Sequence, residues 1–133
     1  MLVEQACELG SFLFDRTHEY GFRCRFRDSG EESLLGKGCS QFGPRGQLLI
    51  SEHLQIDVQS STRATELEVV AYDLSCGTVV GTGLVDPKEV LIMYAYDDSS
   101  MRGHEFSVEI LDKDGEAIID LQLSFSKFIP FRA

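Results

Sequence analysis

The chain reads as an all-β protein, an antiparallel eight-stranded sandwich in which seven or eight short runs have strand character. Three observations predict this. Apolar and polar residues alternate in several separate runs, the pattern of strands that turn one face to a core. Turn-forming clusters recur about every ten residues, the spacing of an antiparallel sandwich. No stretch carries the periodicity of a convincing amphipathic helix. Strands that are apolar on one side and polar on the other suit two sheets packed face to face.

The clearest stretch runs from Glu66 to Asp86, ELEVVAYDLSCGTVVGTGLVD. Leu67, Val69 and Ala71 alternate with Glu68, Val70 and Tyr72. Asp73-Leu74-Ser75-Cys76-Gly77 has turn composition. Thr78 to Leu84 then returns as a second strand, with Gly81 and Gly83 inside it. A long hairpin with a projecting loop is the simplest reading.

Taken from the start, Met1 to Phe14 fits either a short helix face or a first strand through Leu2, Val3, Ala6, Cys7 and Leu9. Phe12, Leu13 and Phe14 are expected to be buried, and Asp15 to Gly21 is turn-like. In Gly21 to Arg27, Phe22, Cys24 and Phe26 alternate with Arg23, Arg25 and Arg27. That is a strand with an apolar inner face and three guanidinium groups on the other. Asp28 to Glu32 is a turn, Ser33 to Ser40 a short strand weakened by Gly36 and Gly38, and Gln41 to Gly46 a loop. Leu48 to Val58 reads as a strand, and Gln59 to Thr65 as a polar connector. Asp86-Pro87 breaks the pattern, because proline has no donor and restricts the residue before it. Lys88 to Tyr96 is continuous and apolar at its centre, so period does not separate strand from helix. Phe106, Val108 and Ile110 mark another strand, Asp112-Lys113-Asp114-Gly115 a hairpin turn, and Ile119, Leu121, Leu123 and Phe125 a last regular strand.

The 133 residues suit one domain, 1–133, with residues 1–20 as first strand and loop and 128–133 as a tail. A hydrophobic share of 43%, with nine Phe and four Tyr, is enough for a core. Twelve basic residues stand against 22 acidic ones, a net charge of −10. A field of that sign repels nucleic acid and disfavours anionic lipid. No basic segment and apolar block of a signal peptide is visible at the start, and no run reaches the ~18 apolar residues that span a bilayer. Cys7, Cys24, Cys39 and Cys76 are spaced by 17, 15 and 37 residues, without CxxC, so spacing offers no zinc motif. Free thiols in a reducing, cytoplasmic setting are the expectation, with the domain free or peripheral to a membrane or the cytoskeleton.

The order of these pieces resembles a C2 domain from Tyr20 to Phe128. LEVVAYDLSCGTVVGTGLVD is similar to that family's calcium-loop hairpin, with Val79-Val80-Gly81 at its apolar-apolar-glycine signature. FSVEILDKDGEAIIDLQLSF resembles the closing hairpin, and YGFRCRF the strand after the first calcium loop. The resemblance implies a C2-like Greek key and a binding module. It also implies where calcium ligands should be. Calcium takes six to eight oxygens, mostly carboxylates converging from loops. Asp73 falls on the first hairpin position, but the next holds Ser75 and the one before the apolar-glycine signature holds Thr78. Where the family has an Asp in the first loop, this chain has Glu19-Tyr20-Gly21. Asp73 is thus a residual calcium-loop candidate, helped at most by Asp15 or Glu19, and turn initiation is the favoured reading of it. No intact metal site and no cofactor are expected.

Arg23, Arg25 and Arg27 are the candidates for anion or partner binding, because guanidinium forks suit phosphate and carboxylate. The alternative is a solvated face paired with Glu31, Glu32 and Glu66. Cys24, Cys39 or Cys76 would act as nucleophiles only beside a His, and His18, His53 and His104 are scattered along the chain. No nucleophile elbow, phosphate-cradling glycine loop or HExxH pattern occurs, so no catalytic residue is assigned. Tyr94, Tyr96, Phe128, Phe131 and Leu91-Ile92-Met93 are either a core strand with its tail or apolar surface meant for a partner. The expectation is a non-enzymatic, calcium-independent interaction or scaffolding module with a protein partner. Membrane recruitment through anionic lipid is the alternative.

Overall fold

The computed structural model describes residues 2–26, 40–53, 66–89 and 104–125. They form eight strands: β1 (Leu2–Glu8), β2 (Tyr20–Phe26), β3 (Ser40–Phe42), β4 (Leu48–His53), β5 (Leu67–Asp73), β6 (Thr78–Leu84), β7 (His104–Leu111) and β8 (Ala117–Phe125). All pairs are antiparallel, in the order β2-β5-β6-β7-β8-β1-β4-β3. The all-β, eight-stranded expectation holds. No helix among the described residues is long and apolar enough to cross a membrane.

The sheet curls. β2 lies at one end of the order and β1 sits five strands away, yet Phe22 and Cys24 of β2 share one core cluster with Val3 and Ala6 of β1. Ile119, Leu121 and Leu123 of β8 and Leu67 and Val69 of β5 are fully buried in the same cluster. Each such side chain removed from water contributes about 1.5–3 kcal/mol. The period-two reading of β5, β7 and β8 is therefore the pattern that builds this core.

β6 departs from it. Its inward, buried positions are Gly81 and Gly83, while Val79 is 56% exposed. The glycines leave room for β7 to cross closely: a Cβ on Gly83 would lie 2.7 Å from Val108 Cγ1, and one on Gly81 2.9 Å from Ile110 Cγ2. Larger side chains from β7 thus fill the space that β6 vacates.

Several expectations are corrected or settled. The opening segment is a strand, β1, held between β8 and β4. Gln41 and Phe42 lie in strand β3 and not in a loop. Gly43-Pro44-Arg45-Gly46 turns the chain tightly enough for them to pair with Leu49 and Leu48. Phe14 is buried and Phe12 half-buried, but Leu13 is 75% exposed, since consecutive residues in an extended segment face opposite ways. Phe14 packs edge-on against Tyr20, with ring centroids 4.9 Å apart, and against Phe12 at 5.2 Å. Cys7 and Cys76 carry free thiols, and Cys24 is buried. Met1 and residues 27–39, 54–65, 90–103 and 126–133 lie outside the described set. That range includes Arg27, Cys39, the 54–58 end of the expected fourth strand, the apolar run after Glu89 and the aromatic tail.

Candidate functional site

Two turns meet at one end of the curled sheet, and register explains why. In the β2–β5 ladder Tyr20 is the partner of Asp73. The turn that enters β2 therefore lies beside the turn that leaves β5. Backbone bonds join them: Leu74 N–H donates to the Glu19 carbonyl at 2.8 Å, and Glu19 N–H donates to Ser75 Oγ at 2.9 Å.

Each turn is built from its own polar side chains. Asp15 Oδ1 accepts from Thr17 N–H at 2.9 Å and from Thr17 Oγ1, an Asx turn that presents His18. Asp73 Oδ1 accepts from Ser75 N–H at 3.0 Å and Cys76 N–H at 3.1 Å. Gly77 closes that turn at φ +69°, donating to the Asp73 carbonyl at 2.8 Å. Turn initiation by Asp73 is thus borne out. Its second oxygen does something else.

Asp73 Oδ2 lies 2.7 Å from His18 Nδ1, and Cys76 Sγ lies 3.8 Å from the same nitrogen. On the far side of the ring, His18 Nε2 is 3.3 Å from Asp15 Oδ2. Asp73 is buried, His18 half-buried and Cys76 exposed. The hydrogen bond to Asp73 draws the His18 pKa up against the opposing effect of burial, and the charges of Asp15 and Asp73 add to it. Burial pushes the Asp73 carboxyl up, but the His18 bond and the Cys76 and Ser75 amides outweigh it and leave the pKa lowered. The Thr17 bonds lower Asp15. Burial, then the Asp73 carboxylate, push the Cys76 thiol up.

This arrangement is not that of a nucleophile with its base. In such triads the orienting carboxylate holds one ring nitrogen and the nucleophile meets the other. Here Asp15 does hold Nε2, but the nitrogen that faces the Cys76 thiol is already engaged by Asp73 at 2.7 Å, and the thiol, at 3.8 Å, is held toward its protonated form. Three ligand-capable atoms, one each from His18, Asp73 and Cys76, do lie within 4.8 Å of one another. His18 and Cys76 are 58 positions apart, so no spacing motif could reveal them. The scatter of histidines along the chain concealed a convergence that only the ladder register produces.

Arg23 and Arg25 of the arginine stripe sit further along β2, which ends the order of the described strands. Arg25 is ion-paired to Glu68, Nη2 to Oε1 at 2.6 Å, and the two residues are register partners across the β2–β5 ladder. The guanidinium of Arg23 lies 5.6 Å from the centroid of the Tyr72 ring. One acidic partner of Arg25 is thus Glu68, and Glu31 and Glu32 lie outside the described residues. A shallow hollow lined by Gln5, Cys7, Glu8, Arg45 and Gln47 opens on another part of the surface and shares no residue with the two-turn cluster.

No protein-family model matches the chain, and no curated protein matches it. Among solved structures it is similar to a C2 domain-containing protein, with a TM-score of 0.56 and 18% sequence identity over 99% of this chain and 90% of that one. At that identity the likeness concerns the fold.

Proposed function

We propose that this C2-like fold serves as a non-enzymatic, calcium-independent interaction module whose partner is a protein. One observation carries the reading: Asp73, the residue on the leading calcium position, already spends both oxygens inside the chain. Its neighbours Ser75 and Thr78 are uncharged, and Asp15 is turned to the outer nitrogen of His18. A hard cation that needs six to eight oxygens finds too few carboxylates among the described residues here. Among the described residues β2 stands at one end of the sheet, and a sheet edge is a place where an extended partner segment can add.

Thermal melts with calcium and with a chelator test this. A ligand at about 100 times its Kd stabilises the native state by about 2.7 kcal/mol. Millimolar calcium should therefore leave the midpoint unmoved, and a rise of several degrees would overturn the reading. Pull-down of the partner should be equal with calcium and chelator.

Membrane recruitment is the second reading, and Leu74, 38% exposed in the β5–β6 turn, favours it. The net charge of −10 and the pairing of Arg25 weigh against it. Flotation with phosphoinositide vesicles, lost on Arg25→Glu, would put this reading first.

A further inference from the structure

We propose that His18, Asp73 and Cys76 form a zinc site that clips the turn before β2 to the turn after β5. It would replace the oxygen-only chemistry of a calcium clasp with a nitrogen, an oxygen and a sulfur. The inference does not depend on what the domain's partner is.

The donor set is the first argument. Imidazole, carboxylate and thiolate together suit a borderline-soft divalent ion, and such mixed sets are poor for calcium or magnesium. Geometry is the second. Tetrahedral zinc with bonds of about 2.0–2.3 Å sets its ligand atoms about 3.4 Å apart for N···O and about 3.6 Å apart for N···S. His18 Nδ1 and Cys76 Sγ stand at 3.8 Å, close to that distance already. Nδ1 and Asp73 Oδ2, at 2.7 Å, are held together by a shared proton, and they separate to the longer distance when a metal takes its place. Cys76 is exposed, so its side chain is free to make the remaining adjustment.

The supporting shell is the third argument. A metal-bound imidazole needs its other N–H held by an acceptor, which fixes tautomer and ring plane. Asp15 Oδ2 occupies that place at 3.3 Å from Nε2. Asp15 is itself held by Thr17, and the Asp73 carboxylate is aimed by two backbone amides from its own turn. Both outer carboxylate contacts thus leave the atoms facing the centre, Nδ1 and Oδ2, to the ion. On binding, the Cys76 thiol gives its proton to the buffer, Nδ1 meets the ion as a lone pair while the ring carries its proton on Nε2 toward Asp15, and water completes the tetrahedron.

The test is a zinc titration of the full chain against a chromophoric chelator, with Co²⁺ as a spectroscopic probe. One equivalent of zinc should bind, and Co²⁺ should show a thiolate charge-transfer band with the intense visible bands of a tetrahedral centre. Cys76→Ser should abolish the charge-transfer band. His18→Gln should weaken zinc by more than the 10–100-fold typical of an outer-shell loss, and Asp15→Asn by about that amount. Urea midpoints in chelator establish that each variant is folded. Absence of a bound equivalent overturns the proposal. So does a thiolate band that persists in Cys76→Ser, which would place the metal on another cysteine. Weakening of less than about tenfold in His18→Gln overturns it as well.

Discussion

Replacing Gly83 by alanine tests how closely β6 and β7 must approach for the sheet to curl. An ideal Cβ there would lie 2.5 Å from the carbonyl oxygen of Glu109, 2.7 Å from Val108 Cγ1 and 3.0 Å from Ile110 Cδ1, where ordinary contact begins at 3.4 Å. The first of these is backbone in the neighbouring strand. No rotamer change relieves it, so β6 and β7 must part by about 0.9 Å, the shortfall between 2.5 and 3.4 Å. Both residues behind that carbonyl feed the core, Val108 and Ile110 being buried. Overpacking of a tight site costs about 1–3 kcal/mol and sometimes more. The backbone contact places this site at the upper end, about 3 kcal/mol. Alanine returns only about 0.5–1 kcal/mol through the stiffer unfolded chain. Gly77→Ala is the internal standard: nothing lies within 4 Å of its Cβ, but φ is +69°. Left-handed backbone costs a non-glycine residue about 1–2 kcal/mol. Urea denaturation followed by circular dichroism, compared at a common m-value, gives both losses. The reasoning fails if Gly83→Ala stays within about 0.5 kcal/mol of wild type, the ordinary scatter of surface substitutions. It fails equally if Gly77→Ala proves the more damaging of the two.

Other outcomes follow from the same geometry. Leu121 is fully buried at the middle of β8, and Leu121→Ala should cost about 3–4 kcal/mol in the same urea experiment. A loss below about 1 kcal/mol would mean that the core collapses around the gap. Arg25→Ala breaks a pair whose arginine is 45% exposed, so stability should fall by less than about 1 kcal/mol and the effect should fade with added salt. Cys7 has its thiol pushed up, by burial first and by the Asp120 carboxylate second. Its alkylation rate should therefore rise only at a pH above that of an ordinary thiol. Asp120→Asn should move the profile part of the way down; no movement would mean that burial alone sets it.

The strands were legible because alternation is a local property. Phe22 and Cys24, Leu67 to Ala71, and Ile119 to Leu123 each announce a buried face within a few residues. The turns at Leu74–Gly77 and Asp112–Gly115 were legible for the same reason, as glycine and Asx chemistry acts over four residues. β3 was harder to read. Only three residues long, it shows no alternation and owes its existence to pairing with β4. Leu13 was misjudged because a run of three apolar residues hides which one the extended backbone turns outward.

The candidate site divides along the same line. Ser75 and Thr78 can be read directly from the sequence, at positions where the resemblance implies calcium carboxylates. The sequence also supplied Asp73 and the arginine stripe as candidates. Only the tertiary structure decided what Asp73 touches. Pairing Tyr20 with Asp73 carries His18 across to Cys76, and a ladder register depends on the packing of both strands against the whole core. Composition and spacing describe neighbours along the chain, whereas this cluster exists only through neighbours in space.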